Sequence, residues 1–153
     1  MDYSQNMVGK HTIEDYDDKK WGKVISDFEE SFALQTEMDV KFNGIMKKLF
    51  ESRGIYNGAA FEKLTGIDAR YYKEFTEKES YIPSKAKLVK VCLSLNVDVM
   101  KAMRLLELLG SGFRKDRKVD YAYYYLLLKY QGENIENCNT ILEKLDIDEK
   151  YWL

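Results

Sequence analysis

The stretch NGAAFEKLTGIDARYYKEFT, residues 57–76, decides the fold. Asn57 is a short polar residue suited to cap a helix, and Gly58-Ala59-Ala60-Phe61 opens one that runs through Leu64. Thr65-Gly66-Ile67 then reads as a tight turn, because glycine takes a positive φ without steric cost. Asp68 is placed to cap a second helix over Ala69 to about Thr76, with Tyr71, Tyr72 and Phe75 as its apolar positions. Two short helices joined by a three-residue turn make a helix-turn-helix unit, whose members pack through Phe61, Ile67, Tyr72 and Phe75.

Upstream of this unit, Phe42, Ile45, Met46, Leu49 and Phe50 repeat at steps of three and four, so a helix is expected over about Val40 to Arg53, stopped by Gly54. Downstream, a polar loop over 77–83 ends at Pro83. Ser84 and Asp98 then cap two further helices, which end near Leu95 and at Gly110-Ser111-Gly112. Two more helices are expected, over Val119–Tyr130 and Asn134–Leu145. Ahead of all of these, a helix capped by Thr12 carries Trp21, Val24, Ile25, Phe28 and Phe32 on one face and many acids on the others. The expected fold is therefore all-α, with about eight short helices and no strand, divided as an acidic tail and helix (1–39), a helix-turn-helix domain (40–112) and a helical extension packed on it (113–153).

The segment around the turn resembles the phage-repressor-like (XRE-type, lambda-repressor-like) helix-turn-helix family. Gly66-Ile67-Asp68-Ala69-Arg70-Tyr71-Tyr72 followed by Tyr81-Ile82-Pro83-Ser84-Lys85 is similar to a bacterial subgroup in which a C-terminal pair of helices follows. The resemblance implies a five-helix domain whose second and third helices bind double-stranded DNA. It makes Ala69–Thr76 the recognition helix, with Asp68, Ala69, Arg70, Lys73 and Glu74 turned toward the major groove. Arg70 is the best base reader, since a guanidinium can bond guanine O6 and N7 together. The backbone N–H groups at Gly58 and at Ser84–Lys85 would suit phosphate oxygens, with Lys85, Lys87 and Lys90 adding charge beside them. A homodimer reading a pseudo-palindromic site is the implied assembly. Glu62 stands where the family usually has a small residue, and Glu74 and Glu77 lie on or beside the recognition helix. A non-catalytic protein-interaction module on the same scaffold is the alternative reading.

The 153 residues hold 24 Lys+Arg and 26 Asp+Glu, a net charge of −2 that taken whole argues against a nucleic-acid partner. The balance is uneven along the chain: net −6 over residues 1–40, +8 over 41–118 and −4 over 119–153. The basic excess coincides with the helix-turn-helix segment and favours an anionic partner there. With 45% hydrophobic and 33% charged residues the composition is that of a globular domain rather than a disordered chain.

Other functions find little support. The longest apolar stretch, Tyr121 to Leu128, is too short to span a bilayer, and MDYSQNMVGK lacks a signal-peptide core, so no membrane is expected and a cytoplasmic location is. Cys92 and Cys138 read as buried thiols. His11 is the only histidine, no phosphate-cradling glycine motif occurs, and no catalytic constellation emerges, so no cofactor, metal or enzyme activity is expected. The Tyr123-Tyr124-Tyr125 run fits core and interface better than base stacking, because consecutive helical residues point in different directions. Tyr151-Trp152-Leu153 suits docking, either on the domain or on a sister chain.

Overall fold

A computed structural model describes residues 13–38, 42–114 and 116–153, and among them all regular structure is helical. Eight α-helices form: α1 (Asp18–Met38), α2 (Phe42–Ser52), α3 (Gly58–Thr65), α4 (Tyr71–Glu77), α5 (Lys85–Ser94), α6 (Val99–Leu108), α7 (Lys118–Lys129) and α8 (Ile135–Lys144), with single 3-10 turns at Ile13–Asp15 and Glu149–Tyr151. The chain divides into two compact units, Met1–Glu37 and Met38–Leu153.

Most starts follow the caps legible in the sequence. The side chains of Asn57, Ser84 and Asp98 accept from Ala60 N, Lys87 N and Lys101 N and open α3, α5 and α6; Asn134 opens α8 in the same way. Two starts differ. Helix α1 begins at Asp18, where the Asp17 carboxylate accepts from Lys20 N at 2.8 Å; Thr12, the expected cap, lies outside the described residues, as does Val40 at the expected start of α2. Helix α4 begins at Tyr71 rather than Ala69, because the chain over 68–72 closes i to i+3, Tyr71 N donating to the Asp68 carbonyl at 3.0 Å and Tyr72 N to the Ala69 carbonyl at 3.1 Å. Ala69 N donates to Glu62 Oε1 at 2.9 Å and Arg70 N to Asp68 Oδ1 at 2.9 Å, which folds 68–70 as a turn.

In the second unit, α2 lies along α4, α3 bridges α4 and α5, and α5 is the central element, touching α3, α6, α7 and α8. The helices close on an aromatic cluster. Phe50 of α2 meets Phe61 of α3 edge-on at 5.3 Å, and Tyr72 and Phe75 of α4 at 5.8 and 6.0 Å. Phe50, Phe61 and Phe75 are fully buried, and offset or edge-on ring pairs add about 0.5–1.5 kcal/mol each beyond their area. Asn43 of α2 closes the other end of α4 by donating to the carbonyls of Phe75 (2.7 Å) and Lys78 (3.3 Å). A second layer of core, from Leu88 and Cys92 of α5 through Leu105, Tyr123 and Leu126 to Cys138 and Leu142, ties α7 and α8 to the same body.

The terminal aromatic segment folds back on this body. Tyr123 Oη donates to the Tyr151 carbonyl at 2.6 Å, Trp152 Nε1 to the Ile147 carbonyl at 3.0 Å, and Asn139 exchanges two bonds with Leu153. Docking on the domain, one of the two options legible in the sequence, is the one realised. Both cysteines are buried free thiols; burial pushes Cys92 up to about 12 and raises Cys138.

One buried polar atom has a testable consequence. The Tyr81 hydroxyl has no hydrogen-bond partner among the described residues, and desolvation pushes its pKa up to about 12. Its ring packs edge-on to Phe75 at 5.3 Å. Tyr81→Phe keeps the ring contact and removes an unsatisfied oxygen, so it should stabilise the protein by about 1 kcal/mol. Thermal melting of the variant should show a midpoint a few degrees higher; a lower midpoint would mean that the hydroxyl is satisfied in solution.

Candidate nucleic-acid interface

The two helices around Gly66 are held at a defined angle by contacts within residues 57–76. Gly66 sits at φ 73°, in the left-handed region, and its N–H donates to the Glu62 carbonyl at 2.8 Å. Buried Thr65 passes its hydroxyl to the Phe61 carbonyl (2.8 Å) and accepts from Ile67 N (3.1 Å). At the far end of α3, a Cβ on Gly58 would stand 2.6 Å from the Ala69 carbonyl oxygen. Only glycine lets the start of α3 approach the turn before α4 this closely. The Glu62 carboxylate, anomalous as a surface residue of such a unit, is consumed in fixing the turn through Ala69 N.

The expected site residues divide into those that meet at one surface and those that do not. Arg70 and Lys87 meet. The Arg70 guanidinium carbon lies 4.9 Å from the centre of the Tyr71 ring, and its Nη2 donates to Tyr71 Oη at 3.3 Å. The Lys87 ammonium, from α5, lies 3.5 Å from the same ring centre. Together the two cations, Lys87 foremost, hold the Tyr71 phenol below its ordinary value of 10. Lys73 and Asp68 are exposed, while Ala69 is half-buried in the turn. Glu74 is half-buried and pairs with Lys78 at 3.4 Å, which withdraws part of its charge from the face.

Ser84 keeps its place as the cap of α5, its hydroxyl accepting from Lys87 N. Lys85 requires a correction. Its ammonium does not reach outward beside the α5 N-terminus but turns to α7, where it contacts Asp120 Oδ2 at 3.0 Å and Oδ1 at 3.3 Å. Asp120 is 2% exposed and also accepts from Arg114 N at 2.9 Å. A buried carboxylate needs such a partner, and this one takes Lys85 out of any surface array. Arg53, a further basic residue near the unit, likewise spends its Nε on the Leu95 carbonyl at 2.8 Å. Gly58 is half-buried against Ala69, so its N–H is part of a packed junction rather than an open end.

Two contributors escape sequence reasoning. Tyr71 reads as a core position yet serves as the platform between two cations. Lys150 carries no local signal and lies in the acidic segment 119–153. The folded-back terminus brings it to a groove of about 360 Å³ lined by Ile67, Ser84, Lys87, Lys90, Lys150 and Trp152, together with Ala86 and Leu153. Lys90 stands at the turn itself, its Nζ 3.9 Å from where a Gly66 Cβ would be. The positive surface therefore runs from Arg70 over Tyr71 to Lys87, Lys90 and Lys150.

Among the described residues no group of His, Cys, Asp and Glu could hold a metal ion, and no helix is long and apolar enough to cross a membrane. Compared with protein-family models, with curated proteins and with solved structures, the chain matches none.

Proposed function

We propose that the chain is a helix-turn-helix DNA-binding regulator, in which α2–α6 form a repressor-like domain and α3–α4 are the DNA-binding pair. The observation that carries this reading is the convergence of Lys87, Lys90 and Lys150 on one groove beside the Gly66 turn, with Arg70 sharing the Tyr71 ring with Lys87. Such a surface suits phosphate oxygens, and α4 places Arg70 and Lys73 on its solvent side for base edges.

The reading is tested by selecting duplexes from a random pool and measuring the affinity of the best one against salt. Binding should weaken steeply as salt rises, with the slope reporting the number of phosphates contacted. Lys87→Ala should weaken all duplexes alike and reduce the salt slope by about one. No salt-dependent binding to any duplex at moderate ionic strength overturns the proposal. A second reading, a protein-interaction module on the same scaffold, draws on Glu74 and Glu77, which place carboxylates where phosphates would pass. It predicts instead a stoichiometric protein partner whose capture is insensitive to nuclease.

A further inference from the structure

A second cavity shares no residue with the cationic groove and takes no part in the proposed DNA reading. It holds about 430 Å³ between α7 and the chain that leaves α8. Tyr121 and Tyr125 stand one turn apart on α7 and so share a face, with the small, buried Ala122 beside them. Leu145 and Ile147 supply the wall on the α8 side. These walls are tied down by the fold itself. Ile147 N donates to the Leu142 carbonyl at 3.0 Å around Asp146, whose φ of 63° turns the chain sharply out of α8. The Ile147 carbonyl is held by Trp152 Nε1 at 3.0 Å, and the Tyr125 ring packs on Tyr130 at 5.8 Å. A preformed apolar cavity costs little ordering to fill, and this volume lies toward the small end of the roughly 300–1,000 Å³ found for ligand pockets. It suits one compact molecule.

The charges at the cavity say what that molecule carries. Asp116 and Lys118, two residues apart where α7 begins, are its charged lining residues among the described ones, and their signs are opposite. They do not pair with each other. The Lys118 ammonium has no ion-pair or hydrogen-bond partner among the described residues. Asp116 gives its Oδ2 to the Arg114 guanidinium at 3.0 Å, while its Oδ1 accepts nothing among the described residues. A carboxylate has room for further donors, and an ammonium has three to give. The complement is a head group with one charge of each sign, a carboxylate for Lys118 and an ammonium for Asp116. The tyrosine rings and the two aliphatic side chains ask for an apolar body behind it.

From this we infer that the cavity between α7 and the end of α8 binds a free α-amino acid with an aromatic or large aliphatic side chain. The inference does not rest on duplex binding. It is tested by titrating L-phenylalanine and L-leucine into the ¹⁵N-labelled full chain and following the backbone amide resonances. At least one of the two should bind with a Kd on the order of 0.1–1 mM, as a ligand of this size allows, and should shift the amides of 116–125 and 145–147. 3-Phenylpropionate lacks the ammonium and phenethylamine lacks the carboxylate, so each should bind about fivefold weaker than L-phenylalanine. Lys118→Met and Asp116→Asn should weaken the amino acid by a similar factor, and Tyr121→Ala should weaken it by removing part of the wall. All three positions are exposed, so the variants should melt close to the wild type. No shift with either amino acid up to about 10 mM overturns the inference, as do shifts confined to other parts of the chain. Equal binding of 3-phenylpropionate or phenethylamine overturns the zwitterionic head group. Equal binding of N-acetyl-L-phenylalaninamide, which presents the same ring as a residue within a polypeptide, would assign the cavity to a protein side chain and overturns it too.

Discussion

Lys85→Met lowers the stability of the 38–153 body by about 3 kcal/mol and its melting temperature by about 10 °C. The reason is the burial of its partner. Asp120 is 2% exposed, and its carboxylate is held by the Lys85 ammonium at 3.0 Å and by one backbone N–H, that of Arg114. Removing the lysine leaves an ionised group in an apolar setting with a single donor. Breaking one side of a buried pair costs about 3–5 kcal/mol; the Lys85 side chain is 27% exposed, so water can partly replace it, and the lower end applies. Taking both charges away is different. Lys85→Met with Asp120→Leu should recover most of the loss, because the second change removes the stranded charge along with its desolvation cost. Thermal melting of the two singles and the double completes the cycle. A Lys85→Met protein that melts with the wild type would mean that the pair is open in solution, and Lys85 would return to the surface array. The ion pair also bears on any DNA measurement. A Lys85 variant loses duplex binding through unfolding before it reports on phosphate contacts, so its assays belong well below the new melting point.

Lys85 shows where reading from sequence ends. The helix that carries it was legible from Ser84 and from the spacing of Leu88, Val91, Cys92 and Leu95, all local signals. Its ion-pair partner was not, because Asp120 is 35 residues away and its burial exists only once α7 lies on α5. The same holds for Lys150, which reaches the groove only because Tyr123, Asn139 and Trp152 fasten the terminus back on the body. Caps and turns need nothing beyond a few neighbours, and Asn57, Gly66, Ser84 and Asp98 take the roles their types suggest. Asp68 is instructive in another way. Its carboxylate accepts from Arg70 N as a cap does, but Glu62, seven residues before Ala69, takes the Ala69 N–H, and i to i+3 closure over 68–72 puts the first regular turn at Tyr71. Spacing could locate the junction, but only tertiary geometry could assign its hydrogen bonds.

That junction sets the second expected result. On the proposed DNA reading, Arg70→Ala costs about 1–3 kcal/mol on the best duplex, which is about five- to 150-fold in affinity, and relaxes preference at one base pair while leaving non-specific duplexes nearly unchanged. Arg70 stands at the N-cap of α4 with its main-chain N–H bound by Asp68 and its guanidinium held against the Tyr71 ring and hydroxyl. A side chain already confined in this way loses little rotamer freedom when it meets a base, so more of each hydrogen bond appears as affinity. Arg70→Lys should not rescue the preference, since an ammonium cannot bond guanine O6 and N7 through a planar fork. Tyr71→Phe keeps the ring under both cations and removes one acceptor, so its effect should be a small fraction of that of Arg70→Ala. Anisotropy titrations of the selected duplex and of a scrambled one, at matched salt, separate the outcomes. Loss confined to the selected duplex identifies Arg70 as a base reader. Equal loss on both, with a lower salt slope, places it among the phosphate contacts with Lys87 and moves the reading of sequence to Lys73, the exposed cation one turn further along α4.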